Sequence, residues 1–258
     1  MKKEYIKTAF RALADLLIPR KCIVCGEKLS LEEKHICRWC RDDMPLTRFW
    51  QVSHNAMADK FNEAIQKKLE TEWNRAAGEE TGRRRYERYA FAAALFFFNN
   101  DAEYKRIPYR IKYEGDIPAG RYFGAILGQS LSQAEWAGDV DVIIPVPLHW
   151  RRRWKRGYNQ AEVIAEGVSI FLGVPVCGDI LKRTRSTKTQ VKLETTEKST
   201  NVEGAFSATF REGIGHILLI DDVFTTGSTL MACFAALRKV FPPSVRISVA
   251  TLAFVGRA

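Results

Sequence analysis

Apolar positions fall into two regimes along the chain, and the second half is the more regular. There, short unbroken apolar runs alternate with stretches in which apolar residues recur every three or four positions. DVIIPVP reads as a buried strand, NQAEVIAEGVSIFLG as an amphipathic helix stopped near Gly173, and VPVC as a short strand. HILLID is a further strand, STLMACFAALRKV a helix ended by Pro242 and Pro243, and VRISVATLAFV a final strand. Strands separated by helices of this length predict an α/β fold with a mostly parallel sheet flanked by helices.

The first half is harder to read. Residues 4–17 place Tyr5, Ile6, Ala9, Phe10, Leu13, Leu16 and Leu17 on one helical face that ends at Pro19. Residues 60–88 are polar and charge-rich, with Gly78 and Gly82 breaking any helical pattern, and are expected to join two modules. The run YAFAAALFFFNN is read as a buried strand, although periodicity alone does not separate it from a core helix. IPYRIKYEGD follows, then a helix of small residues over about 119–133. The expected organisation is an N-terminal helix and cysteine segment over 1–59, a charged connection over 60–87 and the α/β domain over 88–258.

Composition narrows the class. A hydrophobic fraction of 46% with 11% aromatics in 258 residues is that of a globular protein with a sizeable core. Forty Lys and Arg against thirty Asp and Glu leave a formal charge of +10, which suits nucleic acid, a phosphorylated ligand or an anionic membrane. Arg11 and Asp15 interrupt the first apolar stretch, so no secretory signal is expected. The longest apolar run, 90–98, is far short of the roughly 20 residues that span a bilayer. A cytoplasmic location is expected; the basic first helix could touch a membrane surface, but packing against the rest of the protein is favoured.

Cys22, Cys25, Cys37 and Cys40 form two CxxC pairs with eleven residues between them. Two such turns aim four soft thiolates at one point, the ligand set of a tetrahedral structural zinc. Redox chemistry or unliganded buried cysteines are the alternatives. Cys177 and Cys233 lie among apolar neighbours and are expected in the core. His35 falls between the pairs, yet four thiolates already complete a shell.

The segment ILLIDDVFTTGSTL carries the most chemistry. A buried strand ends on two carboxylates, Asp221 and Asp222, and a Thr-Thr-Gly-Ser-Thr turn opens the next helix. Backbone N–H groups and the helix dipole at such a turn favour a phosphate, and Gly227 permits close approach. Thr225, Thr226, Ser228 and Thr229 add hydroxyl donors, while the carboxylates can accept from vicinal sugar hydroxyls. A ribose 5-phosphate fits. The segment resembles the 5-phosphoribosyl pyrophosphate motif of type I phosphoribosyltransferases.

That resemblance implies that the turn LHWRRRWKRGYNQ holds pyrophosphate, with Arg151, Arg152, Arg156, Gly157, Asn159 and Gln160 as candidates and Arg153 and Lys155 adding charge. Nearly the whole chain is similar to the ComF family, with residues 60–88 departing most. PVPLHWRRRWKRGYNQAE resembles its proline-rich strand and Arg-Gly-aromatic-Asn-Gln signature, here Arg156, Gly157, Tyr158, Asn159 and Gln160. LKRTRSTKTQVKL and NVEGAF resemble its basic loop, with Arg183, Lys188, Thr189, Gln190 and Leu193 before Asn201 and Phe206. KYEG, from Lys112 to Gly115, and the N-terminal CxxC pairs also match.

The resemblance implies a type I phosphoribosyltransferase-like parallel sheet with a small N-terminal zinc module, in a protein that binds phosphoribosyl pyrophosphate in support of DNA uptake. If the chain is an enzyme, Mg²⁺ would bridge pyrophosphate and ribose hydroxyls, the acceptor would attack C1, and the basic segment from Lys182 to Lys192 could close over the ligand. A binding module would keep the same pocket while Tyr86 and Trp154, among their arginines, stack on single-stranded DNA beside DNA-uptake proteins. A zinc-dependent DNA-binding regulator ranks last, since no recognition helix is evident behind the cysteines.

Overall fold

The computed structural model describes residues 19–76, 86–98, 103–184 and 204–256. The helix expected over 4–17, Lys188 and Gln190 lie outside them. Four strands form one parallel sheet: β1 (Ala92–Phe98), β2 (Val142–Pro145), β5 (His216–Phe224) and β6 (Arg246–Val255), in the order β1-β6-β5-β2. The expected VPVC strand is reduced to a single parallel bridge between Ile143 and Val176. A small antiparallel pair, β3 (Leu181–Arg183) and β4 (Phe206–Ala208), sits apart from the main sheet.

β5 and β6 occupy the centre, which is why their apolar residues run without alternation: a parallel sheet covered on both faces buries both sides of its strands. Helices α3 (Arg106–Tyr113), α4 (Ile117–Leu131), α6 (Gln160–Leu172) and α7 (Ser228–Arg238) flank the sheet. The small residues of α4 are there for contact. A Cβ on Gly124 would lie 2.3 Å from the Ile164 carbonyl oxygen of α6, and one on Gly167 would lie 2.4 Å from that of Arg121. The two helices therefore meet backbone to backbone, and a methyl at either position would push them apart.

Two stretches differ from the sequence reading. Residues Ala56–Ala76 form a long helix, α2, most of which falls in the segment expected to connect modules. Met57, Ala58, Phe61 and Ile65 are fully buried at helical spacing, a face outnumbered in sequence by charged neighbours. Buried Asn55 starts the helix, accepting from the amides of Met57 and Ala58 and donating to three carbonyls, including that of Ala92. Asn62 pairs with both backbone groups of Ala90 at 2.8 and 2.9 Å, fastening α2 to the start of β1. The second difference is Trp150–Arg156, read as a turn and found as a short helix, α5. His149 caps it through Nδ1, and Gly157, at φ 84°, ends it.

The cysteine segment, with the short helix α1 (Arg38–Asp42), joins the same apolar core as the sheet. The Tyr104 hydroxyl donates to the Cys40 carbonyl at 2.7 Å and Arg106 to the Val24 carbonyl at 2.9 Å. Just beyond it, Leu46 bridges antiparallel to Phe96 on the outer edge of β1, and Phe49 packs edge-on against Phe97 and Phe254. None of the helices among the described residues is long and apolar enough to cross a membrane.

Candidate functional site

β5 runs through Asp221 and Asp222 to Phe224 before the chain turns into α7. Both carboxylates are buried, 8% and 4% exposed. The two carboxylates interact with each other and share one cation, Lys112, which lies against Asp222. Asp222 meets Lys112, whose Nζ lies 2.7 Å from a carboxylate oxygen. Asp221 accepts from the amide of Asp222 at 2.9 Å and feels Arg183 of β3 and the buried thiol of Cys233. Burial, then the charge of Asp222, push the Asp221 carboxyl up to about 8. Burial works against the Lys112 ammonium, but the facing carboxylates outweigh it and raise its pKa.

The turn after β5 exposes Thr225 and Thr226 and half-buries Ser228 and Thr229. Gly227 caps α7 at φ 76°, and a Cβ there would lie 2.7 Å from the Phe224 ring, so both backbone and space demand glycine. No side chain caps the helix start from that position. Thr226 and Ser228 hydroxyls lie 2.6 Å apart. From the opposite side Lys60 of α2 donates to the Thr225 carbonyl at 3.1 Å. Sequence reasoning missed Lys60, since only the packing of α2 on α7 brings it here; Lys112 was visible only within the KYEG resemblance.

The second candidate group divides. Arg151 and Arg152 are exposed on α5 and, with Arg183, lower the pKa of buried His149 after the larger effect of burial itself. Arg183, packed over the Phe206 ring at 5.2 Å, feels both Arg152 and Asp221, so it stands within electrostatic reach of both. Gly157, Asn159 and Gln160 instead shape the joint between α5 and α6. Asn159 is buried, caps α6 through the amide of Ala161 and donates to the Val146 carbonyl at 3.0 Å; Gln160 accepts from Arg156. Tyr158 donates to the Ile111 carbonyl, tying that joint to the residue before Lys112. Trp150, Trp154, Tyr109 and Tyr113 stand 64, 87, 56 and 65% exposed. Arg151 lies over Trp150 and Arg156 over Tyr113.

The four sulfurs of Cys22, Cys25, Cys37 and Cys40 all lie within 4.8 Å of one another. Amides of Cys37 and Cys40 point at the sulfurs of Cys22 and Cys37, each at 3.4 Å. Burial is the main influence pushing the Cys37 and Cys40 thiols up, and a cation at the centre would reverse that preference by stabilising thiolates. His35 turns away, toward Asp116 and Tyr122. Of the other two cysteines, Cys233 is buried and Cys177 half-buried beside Arg211.

No family model matches the chain. Competence protein F of Haemophilus influenzae is 37% identical over 144 residues, 54% of this chain and 63% of that protein. Competence protein ComFC of Bacillus subtilis is 30% identical over 122 residues, covering 47 and 48% of the two chains. DNA utilization protein YhgH of Escherichia coli K12 is 37% identical over 90 residues, 35% of this chain and 40% of that one. The chain thus spans less than two thirds of the length of these relatives. A solved structure of the glutamine phosphoribosylpyrophosphate amidotransferase of B. subtilis, complexed with ADP and GMP, overlaps at TM-score 0.33 and 19% identity, over 52% of this chain and 26% of that one. Over about half its length the chain is thus similar to Competence protein F and Competence protein ComFC, and it carries a parallel sheet flanked by helices and a cluster of four cysteines.

Proposed function

We propose that this protein binds a ribose 5-phosphate ligand of the phosphoribosyl pyrophosphate type at the turn after β5, in support of DNA uptake. The observation that carries the reading is the junction of β5 and α7. Two carboxylates stand just before a glycine-opened helix start that carries the exposed Thr225 and Thr226 and the half-buried Ser228 and Thr229. Arg151, Arg152 and Arg183 supply positive charge for a diphosphate near Asp221. The names of the relatives, Competence protein F and Competence protein ComFC, support the role in DNA uptake, and a cytoplasmic site of action agrees with it. Transfer to an acceptor is the enzymatic extension of the same pocket.

We further assign zinc to the cysteines. Tetrahedral thiolates about 2.3 Å from zinc stand about 3.8 Å apart, and the Cys25 and Cys37 sulfurs are 3.8 Å apart. Such a site is structural. Any Mg²⁺ is assigned to the diphosphate of the ligand, not to a protein cage, because the cysteines are the one group of three or more metal-type side chains that come together among the described residues.

A DNA-gripping surface is the second reading, favoured by Trp154, 87% exposed between arginines of α5, with Trp150 and Tyr113 nearby in the same basic region. Calorimetric titration with phosphoribosyl pyrophosphate tests the first reading: wild type binds, and a chain with Asp221→Asn and Asp222→Asn does not. Absence of binding by folded wild type would remove the ligand and leave the DNA surface, whose single-stranded DNA affinity should fall steeply with salt.

A further inference from the structure

A phosphorylated sugar beside two carboxylates needs positive charge between them, and a hard divalent cation is one way to supply it. The donor set here does not fit such an ion. Mg²⁺ requires oxygen ligands in near-octahedral array, with one or two carboxylates turned toward it. Asp221 and Asp222 are adjacent near the end of β5, and no third acidic or histidine side chain joins them among the described residues. The Asp222 carboxylate is already engaged by Lys112 at 2.7 Å, with only 5% of its side chain exposed.

Lys112 is held in place from several directions. It sits in the last turn of α3, and the Tyr158 hydroxyl fixes the preceding carbonyl, that of Ile111. Two residues before Lys112, Arg110 pairs with Glu114 and Asp116 at 3.2 and 3.1 Å, which anchors the exit from the helix. The Lys112 side chain remains 29% exposed, so its ammonium joins the buried carboxylate to the open side of the site. An ammonium has three donors, enough to hold Asp222 and also meet a ligand oxygen.

We propose that Lys112 takes the place of a divalent cation at the acidic pair, so that the two carboxylates hold no Mg²⁺ of their own and the lysine neutralises Asp222 and donates to the sugar. The inference rests on the ligand reading above and adds how that site is balanced in charge. The fixed ammonium makes a metal on the carboxylates unnecessary, and the same charge repels a metal from Asp222.

Ribose 5-phosphate titrated calorimetrically into the full chain as isolated, in metal-depleted buffer with and without added Mg²⁺, tests this for wild type, Lys112→Met and Lys112→Arg, with melting curves to establish folding. Wild type should bind equally in both buffers. Lys112→Arg should keep most of the affinity, whereas Lys112→Met should bind about tenfold more weakly without metal and recover in part with Mg²⁺. Wild-type binding that appears only with Mg²⁺, or a folded Lys112→Met that binds like wild type, would overturn the proposal. If Lys112→Met does not fold, the wild-type comparison decides alone. Absence of wild-type binding in either buffer would instead remove the ligand reading on which it rests.

Discussion

Lys60 donates from Nζ to the main-chain carbonyl of Thr225 at 3.1 Å, across 165 residues of sequence. The contact couples a helix from the first half of the chain to the turn proposed to hold phosphate. Its ammonium also lies 5.9 Å from the centre of the Phe224 ring, the ring that Gly227 must clear. The cation is exposed, so it contributes little to folding and is placed to favour an anion. Lys60→Met should weaken ribose 5-phosphate binding about three- to tenfold, with a melting temperature close to wild type. Calorimetry and a thermal melt check the two halves of that statement.

Metal removal should be felt well beyond the cysteine segment. Tyr104 and Arg106 hydrogen-bond to carbonyls within it, and its apolar residues share the core of the sheet. Chelation, or Cys37→Ser, should therefore lower the melting temperature of the whole chain by roughly 10 °C or more, not unfold an independent knob. Metal analysis alongside the melt should return one zinc per folded wild-type chain. A melt unchanged by chelation of a zinc-bearing chain would contradict the structural assignment.

The raised carboxyl of Asp221 predicts a pH dependence of stability. Its folded pKa, about 8, lies above the unfolded value, so between about pH 4 and pH 8 the native state keeps a proton that the unfolded chain releases. Stability contributed by that proton is complete below the unfolded pKa and is lost as pH rises through the folded one. Asp221→Asn does not titrate and keeps the acceptor for the amide of Asp222. The ligand-free variant should therefore gain on wild type by on the order of 2 kcal/mol from pH 5 to pH 8. Denaturant melts of both proteins across that range measure the difference, and titration of the cysteines cancels between them.

Much of this architecture is written locally. The strand, carboxylates and Thr-Thr-Gly-Ser-Thr turn from Ile217 to Thr229 are contiguous, and both CxxC pairs are short-range patterns, so each could be read from spacing alone. Helix α2 was obscured because Phe61 and Ile65 are scattered among lysines and glutamates whose polarity suggested a linker. Helix α5 was obscured because arginines with no apolar stripe give no period to read. The charge balance of the site depends on tertiary packing: neither Lys112 against Asp222 nor Lys60 against Thr225 leaves a signal in residue spacing. Asn159 and Gln160 show the converse, since side chains that suggested ligand contact are spent on caps and bonds inside the fold.

The central claim is that a phosphorylated sugar docks on the start of α7, and amide hydrogen exchange tests it most directly. With saturating ribose 5-phosphate, exchange should slow at the amides of Thr226, Gly227, Ser228 and Thr229 in wild type and remain unchanged in the chain with Asp221→Asn and Asp222→Asn. Protection confined to another region, or binding that leaves these four amides exchanging as before, would contradict the account.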